Sequence, residues 1–304
     1  MRAASAILYN APMGRHFPVS FFSFPRMLLA GAIAGIIFST FNPLPDPPKP
    51  SSNVGAVISI SQPFVFTFNT DGVLHESATM EESSSPYWWL NSGGKLIIAD
   101  KVGKTIHGPL PFLDVWRIRY ALSNPVDTGN GYYPQNIFRL VTKPTAANQR
   151  VEMLFKIEKD NLTASPNRNA SNGILLMSRH VDSDNLYYAG VRVDGTAVIK
   201  KKYRGTYYTM AQEKVFPGTY AENKNLIPHR QWIGLRAENV RNADGTLTVR
   251  LFMKRANESW KKILEAKDDG RTHGNTPVIS GTGHAGIRTD FMDVSFESFR
   301  FAAM

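Results

Sequence analysis

The sequence predicts an all-β fold, a two-sheet antiparallel β-sandwich of the jelly-roll kind, preceded by one N-terminal hydrophobic helix. From Val54 onward, short segments rich in Val, Ile, Tyr, Phe and Thr alternate with Gly, Asn, Asp and Pro. Such a composition is typical of strands separated by turns. No window of helical length carries an apolar stripe at 3.6-residue spacing, which argues against a parallel α/β sheet.

The predicted N-terminal helix comes from an apolar run, Met27–Phe41, that follows a flank with three arginines and no acidic residue. A basic flank before an apolar core is typical of a secretion signal or a signal anchor. The run is short for a spanning helix, which needs about 20 residues. Because no small-residue cleavage motif follows Phe41, we favour a retained anchor. We expect a single-pass cell-membrane protein with an extracytoplasmic domain, or a secreted protein if the segment is cleaved.

Three regions follow from these patterns. Residues 1–41 are the signal-anchor region, and residues 42–53 (NPLPDPPKPSSN) are a proline-rich linker. Proline-rich stretches stay extended and act as semi-rigid spacers. Residues 54–304 form the predicted β-sandwich domain.

Charge and cysteine content restrict the partners and the chemistry. The formal net charge of +10 and the pI of about 9.7 favour an anionic partner, namely an acidic glycan, phospholipid headgroups or nucleic acid. The export signal argues against nucleic acid, and the sequence has no zinc-finger spacing or basic-region heptad. A non-specific basic surface is the alternative. The absence of cysteine excludes disulfides, thiolate metal sites and a cysteine nucleophile.

One hairpin is predicted at Asp194-Gly195, which separates two strand-like runs. A two-residue turn would pair Val193 with Thr196 and so divide the side chains between two faces. The predicted core face carries Ala189, Val191, Val193 and Val198, with Lys200 and Lys202 toward its open end. The predicted outer face carries Tyr188, Gly190, Arg192, Lys201 and Tyr203.

The outer face of this hairpin is the predicted ligand-binding surface. Aromatic rings stack on the apolar faces of sugars, while arginine and lysine bind carboxylates or sulfates. Gly190 would leave room for a ligand to approach the backbone. An ordinary solvated face is the alternative interpretation. The candidate ligand-binding residues are Arg179, His180, Tyr188, Arg192, Lys201, Tyr203 and Tyr208.

Two segments, residues 173–179 (GILLMSR) and 184–188 (DNLYY), resemble the central strands of the concanavalin A-like lectin/glucanase superfamily, which includes laminin-G-like modules. Trp232, Trp260 and residues 283–288 (GHAGIR) follow in a similar order, and the resemblance covers roughly residues 151–303. It implies two antiparallel sheets, a concave face that often binds saccharide and, frequently, a structural calcium ion. Asp290 and Asp293, just before the last predicted strand, are the candidate calcium ligands.

Catalysis on the same face is an open alternative. A polysaccharide lyase needs a cation for the uronate carboxylate, a base for the C5 proton and an acid for the leaving oxygen. Arg192, His180 and Tyr188 are the candidates for these roles. Residues 189–191 (AGV) resemble jelly-roll alginate lyases, but those carry a tyrosine at the position of Arg192 and a Gln-Ile-His triplet that this chain lacks.

The sequence therefore predicts a membrane-tethered extracytoplasmic module that binds a polysaccharide or glycoconjugate, with an acidic polysaccharide favoured. A polysaccharide lyase and a purely structural or adhesive surface module are the alternatives. Its expected partners are the glycan and, through the N-terminal helix, the membrane.

Overall fold

A computed structural model describes residues 63–256 and 258–304 of the chain. The predicted signal-anchor region and the proline-rich linker lie outside these residues. Within them, the chain forms strands β1 to β16, one α-helix and one short 3₁₀ turn, Pro134–Asn136. None of the helices within these ranges is long and apolar enough to cross a membrane.

The larger of two antiparallel sheets has nine strands. Its strands are β1 (Phe64–Phe66), β2 (Gly72–His75), β4 (Lys95–Ala99), β5 (Val102–Lys104), β7 (Gln149–Asp160), β12 (Ile233–Arg241), β13 (Leu247–Arg255), β14 (Lys261–Asp268) and β16 (Met292–Ala303). They are arranged in the order β14-β13-β12-β7-β16-β5-β4-β2, and β1 also pairs with β16.

The smaller sheet has seven strands. They are β3 (Trp88–Ser92), β6 (Ile137–Ala146), β8 (Gly173–Asp182), β9 (Asn185–Arg192), β10 (Thr196–Tyr203), β11 (Thr206–Lys214) and β15 (Gly283–Asp290). The order is β11-β10-β9-β8-β15-β6-β3. Strand β15 lies between β8 and β6, which brings together residues that are far apart in the sequence.

One hydrophobic core is shared by the two sheets. Phe155 and Leu235 from the nine-stranded sheet and Ile174, Ala189 and Ile287 from the seven-stranded sheet belong to the same buried cluster. Side chains on a strand alternate between faces, so every second residue of each strand reaches this core. The predicted all-β class with two antiparallel sheets is confirmed.

Helix α1 (Val115–Ser123) was not predicted. Asp114 caps it, because its Oδ1 accepts a hydrogen bond from the Trp116 backbone N–H at 2.8 Å. Trp116 and Tyr120 are its buried side chains, and apolar side chains also lie on its exposed side. A helix with apolar residues on both sides shows no single stripe, and this explains why the sequence pattern gave no helical signal.

The predicted register of the β9–β10 hairpin is wrong by one residue. Tyr188 pairs with Lys200, and Val191 pairs with Ala197. The turn contains three residues, Val193–Gly195, and Gly195 has a φ of +79°. A shift of one residue moves every side chain of a strand to the opposite face. The even-numbered lysines of β10 therefore share the face of Tyr188.

Candidate binding pocket

The outer face of the seven-stranded sheet, turned away from the core, carries a pocket of about 470 Å³. Its floor consists of side chains from six strands: Arg139 of β6, Leu175 of β8, Tyr188 of β9, Lys200 of β10, Tyr207 of β11 and Arg288 of β15. Their strand neighbours, such as Leu140, Ala189 and Ile287, lie in the core. Strand alternation therefore fixes which side chains face the pocket.

One wall of the pocket is polar and comes from the segment between β7 and β8 together with Asp127, which follows α1. Asp127 organises this wall, since its Oδ1 accepts hydrogen bonds from Ser165 Oγ at 2.6 Å and from Asn167 Nδ2 at 2.9 Å. The pocket lining on this side consists of Asp127, Asn167, Asn169, Ser171 and Asn172. Amide and hydroxyl groups of this kind donate to and accept from polar ligands.

Arg288 is the centre of the floor. Its Nε lies 2.9 Å from Asp290 Oδ1, and its Nη1 donates to the Tyr207 hydroxyl at 3.0 Å. Its Cζ lies 5.5 Å from the centroid of the Tyr188 ring. Burial opposes the charge, but Asp290 and the two tyrosines outweigh it and raise the pKa of Arg288 above its usual range. Arg288 is thus a fixed cation that orients both rings.

Tyr188 and Tyr207 form a stacked pair, with ring centroids 6.0 Å apart and an interplanar angle of 26°. Tyr188 is 2 % exposed and Tyr207 is 45 % exposed. Burial raises the pKa of Tyr188. Burial also opposes ionisation of Tyr207, but the charges of Arg288 and Lys202 outweigh it and lower the pKa of Tyr207. Tyr207 is therefore the more acidic phenol and the more accessible one.

Two cations on the floor have no carboxylate partner in the part of the chain that the structure describes. Arg139 makes no ion pair there, and its Nε is buried without a hydrogen-bond acceptor. Lys200 has only the Tyr207 ring, 6.0 Å from its Nζ. Burial, followed by the charges of Arg192 and Arg288, lowers the pKa of Lys200. The acids of the lining, Asp127 and Asp290, already accept hydrogen bonds from other side chains.

Of the sequence-predicted ligand-binding residues, Tyr188 lines the pocket. Arg192 lies outside the lining, where its Nη2 is 2.7 Å from Asp194 Oδ2 and its Nε donates to the Ala170 carbonyl. Arg179 is buried and donates through Nη1 to the carbonyls of Ile279 and Gly281.

Three other predicted residues lie away from the pocket because of the one-residue register shift. Lys201 is fully buried between the sheets and pairs with Asp268, and Tyr203 packs against the same core. Tyr208 lies against Gly274. The prediction that Lys201 and Tyr203 share a face with Tyr188 is wrong. The room predicted above Gly190 is also filled, because a Cβ there would lie 2.1 Å from the Ile174 carbonyl oxygen.

The trio predicted for a lyase is not assembled. His180 lies outside the pocket lining, buried beside His284 with ring centroids 6.4 Å apart. Burial, followed by His284, lowers the pKa of His180 to about 4. The pocket instead contains Arg139, Lys200, Tyr207 and Arg288, which the sequence analysis missed as ligand-binding residues. Lys200 could have been predicted to face the pocket if the hairpin turn had been assigned three residues. Arg139 could not, because its position depends on which strands pair with β6.

The structure gives Asp290 and Asp293 no calcium-binding geometry. Asp290 pairs with Arg288, and Asp293 accepts hydrogen bonds from Gly108 N, Gln135 Nε2 and Asn161 Nδ2 at 2.7 to 2.9 Å. Carboxylates whose oxygens already accept several N–H groups are structural acceptors. Across residues 63–256 and 258–304, no group of three or more His, Asp or Glu side chains is placed to hold a metal ion.

No protein-family model matches the sequence, and no curated protein matches it. Solved structures similar to the chain include a carbohydrate-binding module, CBM66 from Bacillus subtilis, with 15 % identity over 55 % of this chain and 83 % of that one and a TM-score of 0.39. The GH43 protein BlXynB from Bacillus licheniformis is 12 % identical over 79 % of this chain, with a TM-score of 0.44; the match spans 39 % of that protein.

A third similar structure is the exoplasmic/lumenal domain of VIP36 in a Ca²⁺-bound form, with 12 % identity over 76 % of this chain and 90 % of that one and a TM-score of 0.36. These similarities concern architecture.

Proposed function

We propose that the chain binds an acidic saccharide in the outer-face pocket. The observation that carries this proposal is a pair of cations, Arg139 and Lys200, that have no carboxylate partner among the described residues and lie beside the stacked rings of Tyr188 and Tyr207. An arginine fork binds a carboxylate or sulfate through two parallel hydrogen bonds, and a lysine adds a point charge. The volume of about 470 Å³ lies in the range of ordinary ligand pockets, about 300–1,000 Å³.

The proposal also includes the location. The basic flank and apolar run of residues 1–41 favour a membrane-tethered protein with its pocket outside the cytoplasm. Polysaccharides are abundant ligands in such a place, and the net charge of +10 favours acidic ones.

The binding test compares pectate with fully methyl-esterified pectin, which has the same backbone without the carboxylate charge. We expect the full-length chain, in a non-ionic detergent, to bind pectate, alginate or glucuronan and not the ester. Lys200→Gln and Arg139→Gln should each weaken binding at least about tenfold, because a hydrogen bond to a charged group contributes roughly 1.5–3 kcal/mol. Calorimetric titration measures the affinity.

The matched control is Lys261→Gln, which removes one charge from an exposed position on β14 of the other sheet. It should leave the affinity unchanged. If it weakens binding as much as Lys200→Gln does, the interaction is with diffuse charge and the pocket is not the site.

A polysaccharide lyase is the second candidate, and the lowered pKa of Tyr207 favours it. Burial opposes ionisation of Tyr207, but the charges of Arg288 and Lys202 outweigh the effect of burial. Arg139 would neutralise the uronate carboxylate. The Tyr207 phenolate would accept the C5 proton, the C5–H electrons would form the C4–C5 double bond, and Lys200 would protonate the departing C4 oxygen. Absorbance of the unsaturated product detects this reaction. Product that disappears in Tyr207→Phe while binding persists supports a lyase, and binding without product supports a binding module.

A further inference from the structure

Helix α1 and the residues just before it present an exposed apolar surface, which we call the α1 ridge. Its side chains are between 49 % and 83 % exposed: Phe112, Leu113, Val115, Ile118 and Leu122. An apolar groove of about 340 Å³ runs along it. Monomeric soluble proteins rarely expose contiguous apolar surface of this kind unless it contacts a partner or a membrane.

The ridge is held on a rigid support. On the buried side of the helix, Trp116 Nε1 lies 3.0 Å from His75 Nδ1, and the Tyr120 hydroxyl donates to Glu76 Oε2 at 2.6 Å. Burial of this cluster raises the pKa of Glu76. Because both anchors are fixed by polar contacts, the helix cannot rotate to bury Ile118 and Leu122 without losing those hydrogen bonds.

Cations flank the apolar side chains. The Arg117 Cζ lies 3.6 Å from the Tyr132 ring centroid and 4.8 Å from that of Phe112, and Arg119 lies over Trp116 at 4.8 Å. Neither arginine makes an ion pair within residues 63–256 and 258–304, although the charge of Arg119 acts on Glu76, and the helix itself contains no acidic residue. Its capping residue Asp114 is neutralised by Lys95. Apolar residues beside such cations are typical of helices that lie in the membrane interface.

We propose that the α1 ridge inserts into the headgroup region of an anionic lipid bilayer. Its apolar side chains would face the acyl chains, and Arg117 and Arg119 would contact phosphate groups. A bilayer is favoured over a protein partner by the charge complementarity and by the apolar run Met27–Phe41, which the sequence predicts to lie in a membrane.

The ridge is close in sequence to the saccharide pocket. Asp127 of the pocket wall follows the end of α1 by four residues, and Asn130 lines the groove of the ridge. Insertion of the ridge would therefore bring this wall of the pocket near the lipid surface. The proposal does not depend on what the pocket binds.

The chain has no cysteine, so single cysteines can be labelled without other changes. Leu122→Cys places an environment-sensitive fluorophore on the ridge. The control, Val181→Cys, labels a valine that is 53 % exposed, at the opposite end of β8 from the pocket wall. Both full-length variants are reconstituted in vesicles of phosphatidylcholine with phosphatidylglycerol. Neither substitution touches the core.

At position 122 we expect blue-shifted emission, quenching by lipids spin-labelled on their acyl chains, and protection from aqueous iodide. At position 181 we expect iodide quenching and no lipid quenching. Vesicles of phosphatidylcholine alone should reduce the lipid quenching at position 122. Iodide quenching at position 122 equal to that at 181 would overturn the proposal. Protection of position 122 from both quenchers would also overturn it, since a protein segment or a second copy would then cover the ridge.

Discussion

Lys201 is a fully buried lysine between the two sheets, and its contacts decide which side chains of β10 reach the pocket. Its Nζ lies 2.7 Å from Asp268 Oδ2 and donates to the Thr276 carbonyl at 2.9 Å. Tyr187 donates its hydroxyl to the same carboxylate oxygen. A buried charge is tolerated when it is paired and hydrogen-bonded in this way. Because Lys201 is held inward, Lys200 faces outward.

Replacing Lys201 tests this arrangement. Lys201→Met leaves Asp268 buried without its cation, and we expect the free energy of unfolding to fall by about 3–5 kcal/mol. Urea denaturation measures the change. Lys202→Met, the adjacent position on the opposite face, should cost less than about 1 kcal/mol, because its partner Asp184 is largely exposed. Equal losses in the two variants would contradict the observed register.

His180 makes the stability depend on pH. Burial, followed by the charge of His284, lowers its pKa in the folded protein to about 4, against roughly 6.5 in an unfolded chain. Between these values the unfolded chain binds a proton that the folded chain does not, so the free energy of unfolding decreases as the pH falls. At about 1.4 kcal/mol per pH unit, the decrease reaches about 3 kcal/mol at pH 4.

We expect His180→Gln to show a smaller decrease in the free energy of unfolding between pH 6.5 and pH 4. Urea titrations across this interval measure the slope. A variant with the same slope as the unmodified protein would show that other groups cause the acid sensitivity.

At the scale of elements, the β9–β10 hairpin shows what local sequence can and cannot determine. Asp194 and Gly195 correctly predicted a turn between two strands, because glycine supplies positive φ at low cost. Two-residue and three-residue turns both use this chemistry, however, and they differ by one residue in register. The local sequence therefore does not determine which of Lys200 and Lys201 points outward. In the structure Lys201 points inward and pairs with Asp268, which is 67 residues away in the sequence.

Gly195 and Gly245 provide a matched pair for testing this turn. Both have φ near +80°, but a Cβ at Gly195 would lie 2.3 Å from the Phe216 carbonyl oxygen, whereas Gly245 has only a flexible arginine side chain at 3.7 Å. Gly245→Ala should therefore cost only the left-handed strain, about 1–2 kcal/mol. Gly195→Ala adds a backbone clash, and we expect it to cost at least about 1 kcal/mol more. If thermal denaturation shows similar losses of stability in the two variants, the strain of the left-handed backbone alone accounts for the effect of both substitutions.

The pocket residues show the same limit of prediction from local sequence. Tyr188 was predicted as a ligand-binding residue because it lies on a strand whose two faces differ in character. Arg139 and Arg288 were not, because their position depends on β15 pairing with both β6 and β8 across more than 100 residues. Alternation along a strand identifies its two faces, but strand order is set by long-range packing that a single sequence does not display.

At the scale of the whole molecule, β16 holds the nine-stranded sheet together. It pairs with β7 on one side and with β5 and β1 on the other. Its Phe296, Phe299 and Phe301 are fully buried in the shared core. Phe296 also stacks on Phe138 of the opposite sheet at 5.6 Å between centroids. One strand thus contributes to both the sheet and the contact between sheets.

Phe296→Ala should lower the free energy of unfolding by about 3–5 kcal/mol, since truncating a buried phenylalanine leaves a cavity. The control is Phe112→Ala on the α1 ridge, where the side chain is mostly exposed and the change should stay within about 0.5 kcal/mol in detergent solution. Guanidinium denaturation compares the two. A small effect at Phe296 would mean that the core collapses around the missing ring.

The position of β16 along the chain has a consequence for biosynthesis. Its partner β1 lies at Phe64–Phe66, more than 200 residues earlier. Until residues 292–303 leave the ribosome, β7 and β5 have no strand between them, and the sheet cannot form as a unit. A nascent chain of this topology emerges with unpaired strand edges that are prone to aggregation. These edges stay available to chaperones until β16 is made.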